Sequence, residues 1–241
     1  DLGTGTRTVC AMVLAESFGL PIEAIKVNIG SSTYPFSGAS GGSTTVGAVT
    51  ESHRRAAQEA LAQLFELVAK KLEVPVEKLE AANGKISLVG YEDKSMTWKQ
   101  ACSLIGIKPL EVTSTFKRGT KSPLSNQDVA GCQMAHVAVD TETGVVKMKK
   151  FVAVQDMGLI INRKTAESQI YGAVIMSISA ALFEQRINDQ KTGLFVNSQL
   201  DTYRLPRLGD IGDIVVHLHE PESERSRGVI GLGEPPAISG C

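Results

Sequence analysis

The amino-acid sequence predicts an α+β protein in which helices are layered on sheets in two lobes. Segments with helical periodicity and segments with alternating apolar residues are mixed along the chain, without the regular strand–helix alternation of a doubly wound parallel sheet. The length of 241 residues suits one large domain or two small ones. Hydrophobic residues make up 42% and charged residues 21% of the chain, which excludes an intrinsically disordered protein.

The first elements are two helices separated by a strand and a polar loop. Apolar residues at helical spacing predict a helix over 6–18, and a helical turn and a strand over 25–29 follow. The clearest helix is predicted over 46–72, because one apolar stripe runs along it: Ala57, Ala60, Leu61, Leu64 and Val68. The basic residues in the middle of this helix are interpreted as solvated charges: His53, Arg54 and Arg55.

Short elements fill the middle of the chain. We expect a short helix over 76–81, a hairpin turn at Asn83-Gly84, and a helix over 95–104 with Ser95 as its cap. The polar stretch 117–130 is the best candidate for a linker between the lobes.

The second half predicts a hairpin, a buried helix and a last strand. Residues 136–140 alternate, Glu142-Thr143-Gly144 form a turn, and 145–155 return as the second strand. Residues 165–185 form a nearly all-apolar helix, which is typical of a buried one. The last strand is predicted over 213–219.

Composition excludes several classes of protein. The balance of 25 basic and 26 acidic residues gives no electrostatic reason to bind nucleic acid. No apolar run approaches the roughly 20 residues of a membrane-spanning helix. The four cysteines, Cys10, Cys102, Cys132 and Cys241, lack the close spacing of a zinc or iron–sulfur site, and isolated thiols of this kind are most often small core residues.

Three glycine-rich loops are candidate sites for an anionic group: residues 1–5, 37–45 and 231–236. Glycine lets backbone N–H groups approach an anion closely, and Ser and Thr hydroxyls add donors. Two of these loops precede a predicted helix, whose positive end favours phosphate-like groups. Each loop alone could also be an ordinary turn, and none matches a P-loop or a dinucleotide-binding fingerprint.

Four polar residues in the second half are candidates for a role in chemistry. Asp156 and Asn162 either cap the helix that follows them or belong to a site. Gln169 lies in the first turn of an apolar helix, so its amide must bond to protein backbone or to a ligand. Glu234, between Gly233 and two prolines, is either a surface carboxylate in a proline turn or a rigidly held general base. His217 and His219 share one face of the predicted strand. Solvent exposure of this face is a simpler interpretation than metal ligation.

Five motifs in order resemble one family. They are DLGTGTRT at 1–8, SGASGGSTT at 37–45, the segment 152–184 with DMGLIIN and SQIYG, LDTYRLPRLGDI at 200–211, and GVIGLGEPP at 228–236. Together they resemble the large, molybdopterin-binding subunit of the xanthine dehydrogenase and aldehyde oxidase family of molybdenum hydroxylases. The abrupt ends of the chain then indicate a C-terminal fragment of such a subunit, with an N-terminal half missing.

The resemblance implies a cofactor and the residues around it. The cofactor is molybdopterin, often as a dinucleotide, whose molybdenum is held by the pterin sulfurs rather than by protein side chains. Glu234 matches the family's catalytic base, and Gln169 matches a glutamine that hydrogen-bonds the cofactor. The residues that match the cofactor loops are Gly3, Thr4, Gly5, Gly41, Gly42, Ser43 and Thr44. Residues 1–126 would form a partial molybdopterin-binding lobe, and 127–241 a second lobe that ends in the GEPP loop.

The resemblance also implies a function, partners and a location. An aldehyde or N-heterocycle would be oxidised with oxygen derived from water, and electrons would leave through a 2Fe–2S subunit and an FAD subunit. The expected location is cytoplasmic, with the periplasm as the alternative, and the fragment alone is expected to be inactive. Three departures support the alternative of a non-catalytic scaffold or partner-binding module: Thr4 for Gln, Arg163 for Pro, and Met176-Ser177 for Gln-Gly.

Overall fold

A computed structural model describes residues 3–115, 129–225 and 228–233 of the chain. These residues belong to two compact units, Asp1–Ser125 and Asn126–Cys241. Each unit combines helices with a small sheet, so the predicted α+β class is confirmed. The polar stretch 117–130, predicted as a linker, lies almost entirely outside the described residues.

The first unit, within its described residues, contains three α-helices and one antiparallel sheet. In chain order the elements are α1 (Thr6–Phe18), α2 (Thr45–Leu72), β1 (Leu79–Ala82), β2 (Lys85–Leu88), β3 (Tyr91–Thr97) and α3 (Trp98–Ser103). The strands lie in the order β1-β2-β3. Single 3₁₀ turns at Ile22–Ala24 and Val76–Lys78 complete the unit.

The core of the first unit forms where α2 crosses the sheet. Leu64 and Val68 of α2 pack with Leu79 of β1, Ile86 of β2 and Ala101 of α3. The predicted long helix is therefore confirmed, and it begins one residue earlier, at Thr45. Of its predicted apolar stripe, Leu64 and Val68 pack on the sheet. The ring of Phe18, at the end of α1, meets the edge of Trp98 at a centroid distance of 5.7 Å.

The other predictions in the first unit are confirmed for some elements and wrong for others. The helix over 6–18 and the Asn83-Gly84 hairpin are present, with φ of 51° and 74° in the turn. Residues 25–29 are extended but belong to no strand, since the described residues provide no neighbour for them. The helix over 76–81 is one 3₁₀ turn followed by β1.

The cap of α3 differs from the prediction for a physical reason. Ser95 lies inside β3, paired with Ser87, and the helix begins after Thr97 instead. The Thr97 hydroxyl accepts a hydrogen bond from the Gln100 N–H, and the Gln100 side chain accepts one from the Thr97 N–H. This reciprocal capping box satisfies two free N–H groups, where a Ser95 cap would satisfy one.

The second unit is built on one long central strand. Its elements are β4 (Ala130–Val139), β5 (Val146–Asp156), α4 (Arg163–Leu182), β6 (Asp213–His219) and the short α5 (Glu222–Arg225). β5 pairs antiparallel with β4 and parallel with β6, and α4 lies in the connection between the two parallel strands. The predicted hairpin, helix and last strand are confirmed.

The helix α4 is buried on one face and exposed on the other. Phe151 and Ala153 of β5 pack with Ile170, Val174 and Ile178 of α4. The predicted burial holds for this face only, since Tyr171 and Met176 are 40% and 47% exposed. Because the α4 sequence is apolar on all sides, its pattern does not indicate which side of the helix faces the sheet.

The described cysteines divide into one buried and two exposed thiols. Cys10 on α1 is buried, and burial raises the pKa of its thiol. Cys102 and Cys132 are exposed, so the expectation of core positions fails for them. In the part of the chain that the structure describes, no helix is long and apolar enough to cross a membrane.

We expect Val68→Ala to lower the free energy of unfolding of the first unit by about 2 kcal/mol, because it removes two methyl groups from a fully buried site. Val89→Ala, at a valine that is 54% exposed in the same unit, is the matched control and should change stability by less than about 0.5 kcal/mol. Urea unfolding followed by circular dichroism measures both. Equal effects of the two substitutions would contradict the position of the core.

Candidate functional site

The first candidate loop, residues 3–5, leads directly into α1. Gly3 and Gly5 have φ of 90° and 88°, and Gly5 is the N-cap residue of α1. No side chain caps this helix end among the described residues, and its first turn contains no acidic residue. The exposed Thr4 therefore stands beside free N–H groups at the positive end of a helix.

The second candidate loop, residues 41–44, leads into α2 in the same way. Gly42 and Ser43 both have left-handed backbone, with φ of 59° and 55°, and all four residues are exposed. The Thr44 hydroxyl donates to the Gly41 carbonyl oxygen at 3.0 Å, which closes the loop on itself. A Cβ atom added to Gly41 or Gly42 would meet nothing within 4 Å. The loop is thus an open surface of backbone with an uncapped helix behind it.

The carboxyl end of α1 lies against the sheet of the first unit. Gly19, just after α1, lies against Ala81 and Ala82 at the end of β1, and its carbonyl oxygen accepts from the Gly84 N–H at 2.8 Å. The carboxyl-terminal half of α2 also packs on this sheet. Both helices therefore meet the sheet region near their carboxyl ends.

One acidic residue near the start of α2 is neutralised inside the protein. Glu51 is 2% exposed, and its Oε1 accepts from Arg55 Nε at 2.5 Å while Arg54 Nη2 lies 3.6 Å from Oε2. The interpretation of Arg54 and Arg55 as simply solvated charges was therefore wrong. The i,i+4 spacing of Glu51 and Arg55 is the signal that could have found this pair. Its effect is to keep net negative charge away from the helix end behind the 41–44 loop.

Gln169, in the second unit, is placed near the start of α4. Its side chain is half-buried and makes no hydrogen bond to any residue that the structure describes. Asn162 is the N-cap residue of α4 and accepts from the Thr165 N–H at 3.3 Å, so its capping interpretation is confirmed. Asp156 instead accepts from the Gly158 N–H at 3.1 Å and stabilises the turn after β5.

Two of the residues that depart from the family pattern, Arg163 and Ser177, have structural partners. Arg163 is the first residue of α4, and its guanidinium donates to the Glu220 carboxylate at 2.9 Å. Ser177 is buried and its hydroxyl donates to the Val174 carbonyl oxygen at 3.2 Å, while the neighbouring Met176 is exposed. Arg163 thus ties the start of α4 to the segment after β6.

The segment before Glu234 is held against the turn after β5. Gly158 forms an antiparallel bridge with Val229, and the Leu159 N–H donates to the Gly228 carbonyl oxygen at 2.7 Å. Val229 and Ile230 are buried. Glu234 itself lies outside the described residues, so its predicted role stays a prediction. Of the predicted site residues, the two loops belong to the first unit and Gln169 to the second.

The chemistry of the two loops fits an anionic group better than a metal ion. They present backbone N–H groups, hydroxyls and two helix amino ends without a carboxylate in either first turn. His217 and His219 lie on the exposed face of β6. Across residues 3–115, 129–225 and 228–233, no group of three or more His, Cys, Asp or Glu side chains could hold a metal.

Comparison with known protein families shows which family the chain belongs to. The model for the molybdopterin cofactor-binding domain matches residues 1–212, so the chain belongs to this family. The family and cofactor implied by the sequence motifs are therefore confirmed.

Named relatives agree with this assignment. The chain is 33% identical to the aldehyde oxidoreductase molybdenum-binding subunit PaoC of Escherichia coli K12 over 211 residues, which cover 88% of this chain and 28% of PaoC. It is 32% identical to the nicotine 6-hydroxylase large subunit of Paenarthrobacter nicotinovorans, with coverage of 98% and 30%. The structure of CO dehydrogenase from Oligotropha carboxidovorans superposes with a TM-score of 0.83 at 25% identity, covering 100% of this chain and 30% of that one. The chain thus spans less than a third of each relative.

Gly41→Ala tests the 41–44 loop in the full-length parent protein. Its backbone φ is ordinary and the added methyl meets nothing in this structure, so folding should be unchanged. A cofactor seated on the loop would meet that methyl, and we expect molybdenum occupancy to fall about fivefold, equivalent to roughly 1 kcal/mol of binding. Gly209→Ala, equally open and in the second unit, is the control. Metal analysis measures both, and equal occupancy would remove the loop from the cofactor site.

Proposed function

We propose that the parent of this chain is a molybdenum hydroxylase that oxidises an aldehyde or an N-heterocycle with oxygen derived from water. The support is the family membership together with two relatives, one named as an aldehyde oxidoreductase and the other as a nicotine 6-hydroxylase. The single structural observation that favours the proposal is the pair of open glycine loops at uncapped helix ends.

The two loops would hold the cofactor through their backbone. N–H groups of residues 3–5 and 41–44 would donate to its phosphate and pterin oxygens, and the hydroxyls of Thr4 and Ser43 would add donors. Thr4 in place of the usual Gln shortens the reach of this side chain but retains a donor. Positive helix ends without nearby carboxylates favour the negative charge that such a group carries.

Gln169 would hydrogen-bond the cofactor. Its amide carries two donors and an acceptor, and no described residue uses them. A half-buried amide without partners among the described residues is better satisfied by a bound polar group than by leaving its hydrogen bonds incomplete.

Glu234 would act as the general base. When bound, the cofactor supplies an acceptor for two electrons and a metal centre that makes water more acidic. The Glu234 carboxylate would accept a proton from this water as its oxygen adds to an electron-poor carbon of the substrate. The glycine before Glu234 and the two prolines after it favour a single, stiff placement of the carboxylate. Subunits carrying 2Fe–2S clusters and FAD would then remove the electrons.

Glu234→Gln in the full-length parent should leave folding and molybdenum content unchanged, because the amide has the same size. Turnover per bound molybdenum should fall by a factor of about 10² or more, since an amide cannot accept the proton. Glu222→Gln, on the exposed first residue of α5, is the matched control and should keep full turnover. Near-parental turnover in Glu234→Gln would show that the carboxylate is structural.

Gln169→Ala should separate a binding role from a chemical one. We expect molybdenum occupancy to fall first, with turnover per bound molybdenum preserved, because the amide contributes a hydrogen bond of about 1–3 kcal/mol. Metal and pterin analysis of the parent also distinguishes the proposal from the scaffold alternative. A parent that contains neither molybdenum nor pterin after expression in a cofactor-producing host would support the scaffold.

A further inference from the structure

We propose that the left-handed turn at Gly158 positions the segment that ends in Glu234, so that Gly158 is a positioning residue for the reaction. The inference rests on the proposed role of Glu234 as base. It assigns a task to the Asp156-Met157-Gly158 motif, which otherwise appears only as a turn after β5.

The contact between the turn and the segment has no room for a side chain. A Cβ atom on Gly158 would collide with the Gly228 carbonyl oxygen and would lie 2.9 Å from Ile230 Cδ1. Gly158 also has φ of +68°, a conformation that other residues rarely adopt. Both conditions require glycine, and the result is a backbone bridge between Gly158 and Val229.

The turn itself is fixed to the central strand. Gln155 is buried, and its Nε2 donates to the carbonyl oxygens of Ala130 and Asp156 at 2.7 and 3.0 Å. The Asp156 carboxylate accepts from the Gly158 N–H at 3.1 Å. The turn is therefore held from both sides, by strand pairing before it and by side-chain hydrogen bonds within it.

The anchor lies close to Glu234 along the chain. Ile230 is buried against the turn, and four residues later comes Glu234. Four residues span at most about 14 Å, so the position of Ile230 limits where the carboxylate can lie. Loosening the bridge would release this limit without changing Glu234 itself.

The test compares two glycines in the full-length parent protein. Gly158→Ala introduces both the left-handed strain and the collision. Gly144→Ala, at φ of +73° in the exposed β4–β5 turn with nothing within 4 Å, introduces the strain alone. Amide hydrogen exchange by mass spectrometry reports the bridge directly, because the Leu159 N–H donates to Gly228. Molybdenum content, kcat and KM are measured on the same samples.

In Gly158→Ala we expect faster exchange in peptides covering 157–162 and 228–233, with unchanged exchange in β4. We also expect kcat per molybdenum to fall by roughly 10- to 100-fold with KM nearly unchanged, because misplacing a reacting group slows chemistry more than binding. Gly144→Ala should alter neither quantity. Ile230→Ala, which trims the side chain that packs on the turn without backbone strain, should show the same pattern more weakly, and it remains decisive if Gly158→Ala does not fold.

Two results would overturn the inference. One is unchanged exchange at 228–233 in Gly158→Ala and Ile230→Ala. The other is faster exchange with parental kcat, which would make the bridge a structural contact only. Parental turnover in Glu234→Gln would instead refute the proposed base, and faster exchange in Gly158→Ala would then still establish the bridge, so the two failures are distinguishable.

Discussion

The second unit depends on the packing of β5 against α4. Alternate residues of β5, namely Phe151, Ala153 and Gln155, are almost fully buried, and the first two meet the apolar face of α4. Because β5 pairs with both β4 and β6, this one strand fixes the sheet, the helix above it and the turn that follows it. The polar member of the series, Gln155, is buried because its amide bonds to the backbone at the start of β4. A strand paired along both edges can hold the segment at 228–230 in a defined place.

In the first unit, the polar loops at 3–5 and 41–44 are exposed to solvent at the amino ends of α1 and α2, so these helices must be stabilised elsewhere. α1 and α2 are anchored through their carboxyl-terminal ends on the sheet and on Trp98. The first turns of both helices are not needed for this anchoring, and no side chain of the described residues caps them. A helix without an N-terminal cap is less stable by about 1 kcal/mol than the same helix with a capping side chain. A bound anion can recover the same free energy through the same N–H groups.

Local patterns predicted much of this fold, and tertiary contacts explain the exceptions. The stripe from Ala57 to Val68 and the Asn83-Gly84 turn are local signals, and both are present in the structure. Residues 25–29 alternate as a strand does, yet a strand needs a neighbour, and sequence pattern carries no information on that neighbour. The burial of Glu51 was missed because charged side chains are assigned to solvent unless a partner is considered.

The candidate site could be predicted only as far as its motifs are local. The loops at 3–5 and 41–44 are recognisable because glycine, serine and threonine cluster before helices. The contact between Gly158 and Gly228 joins residues 70 positions apart in the chain. It requires that residue 158 have no side chain, so the local sequence pattern does not predict it. A cofactor cradle demands open, exposed backbone, whereas a general base demands a carboxylate with little freedom. In the proposed function these two requirements fall on different units, the exposed loops on the first and the buried segment that leads to Glu234 on the second.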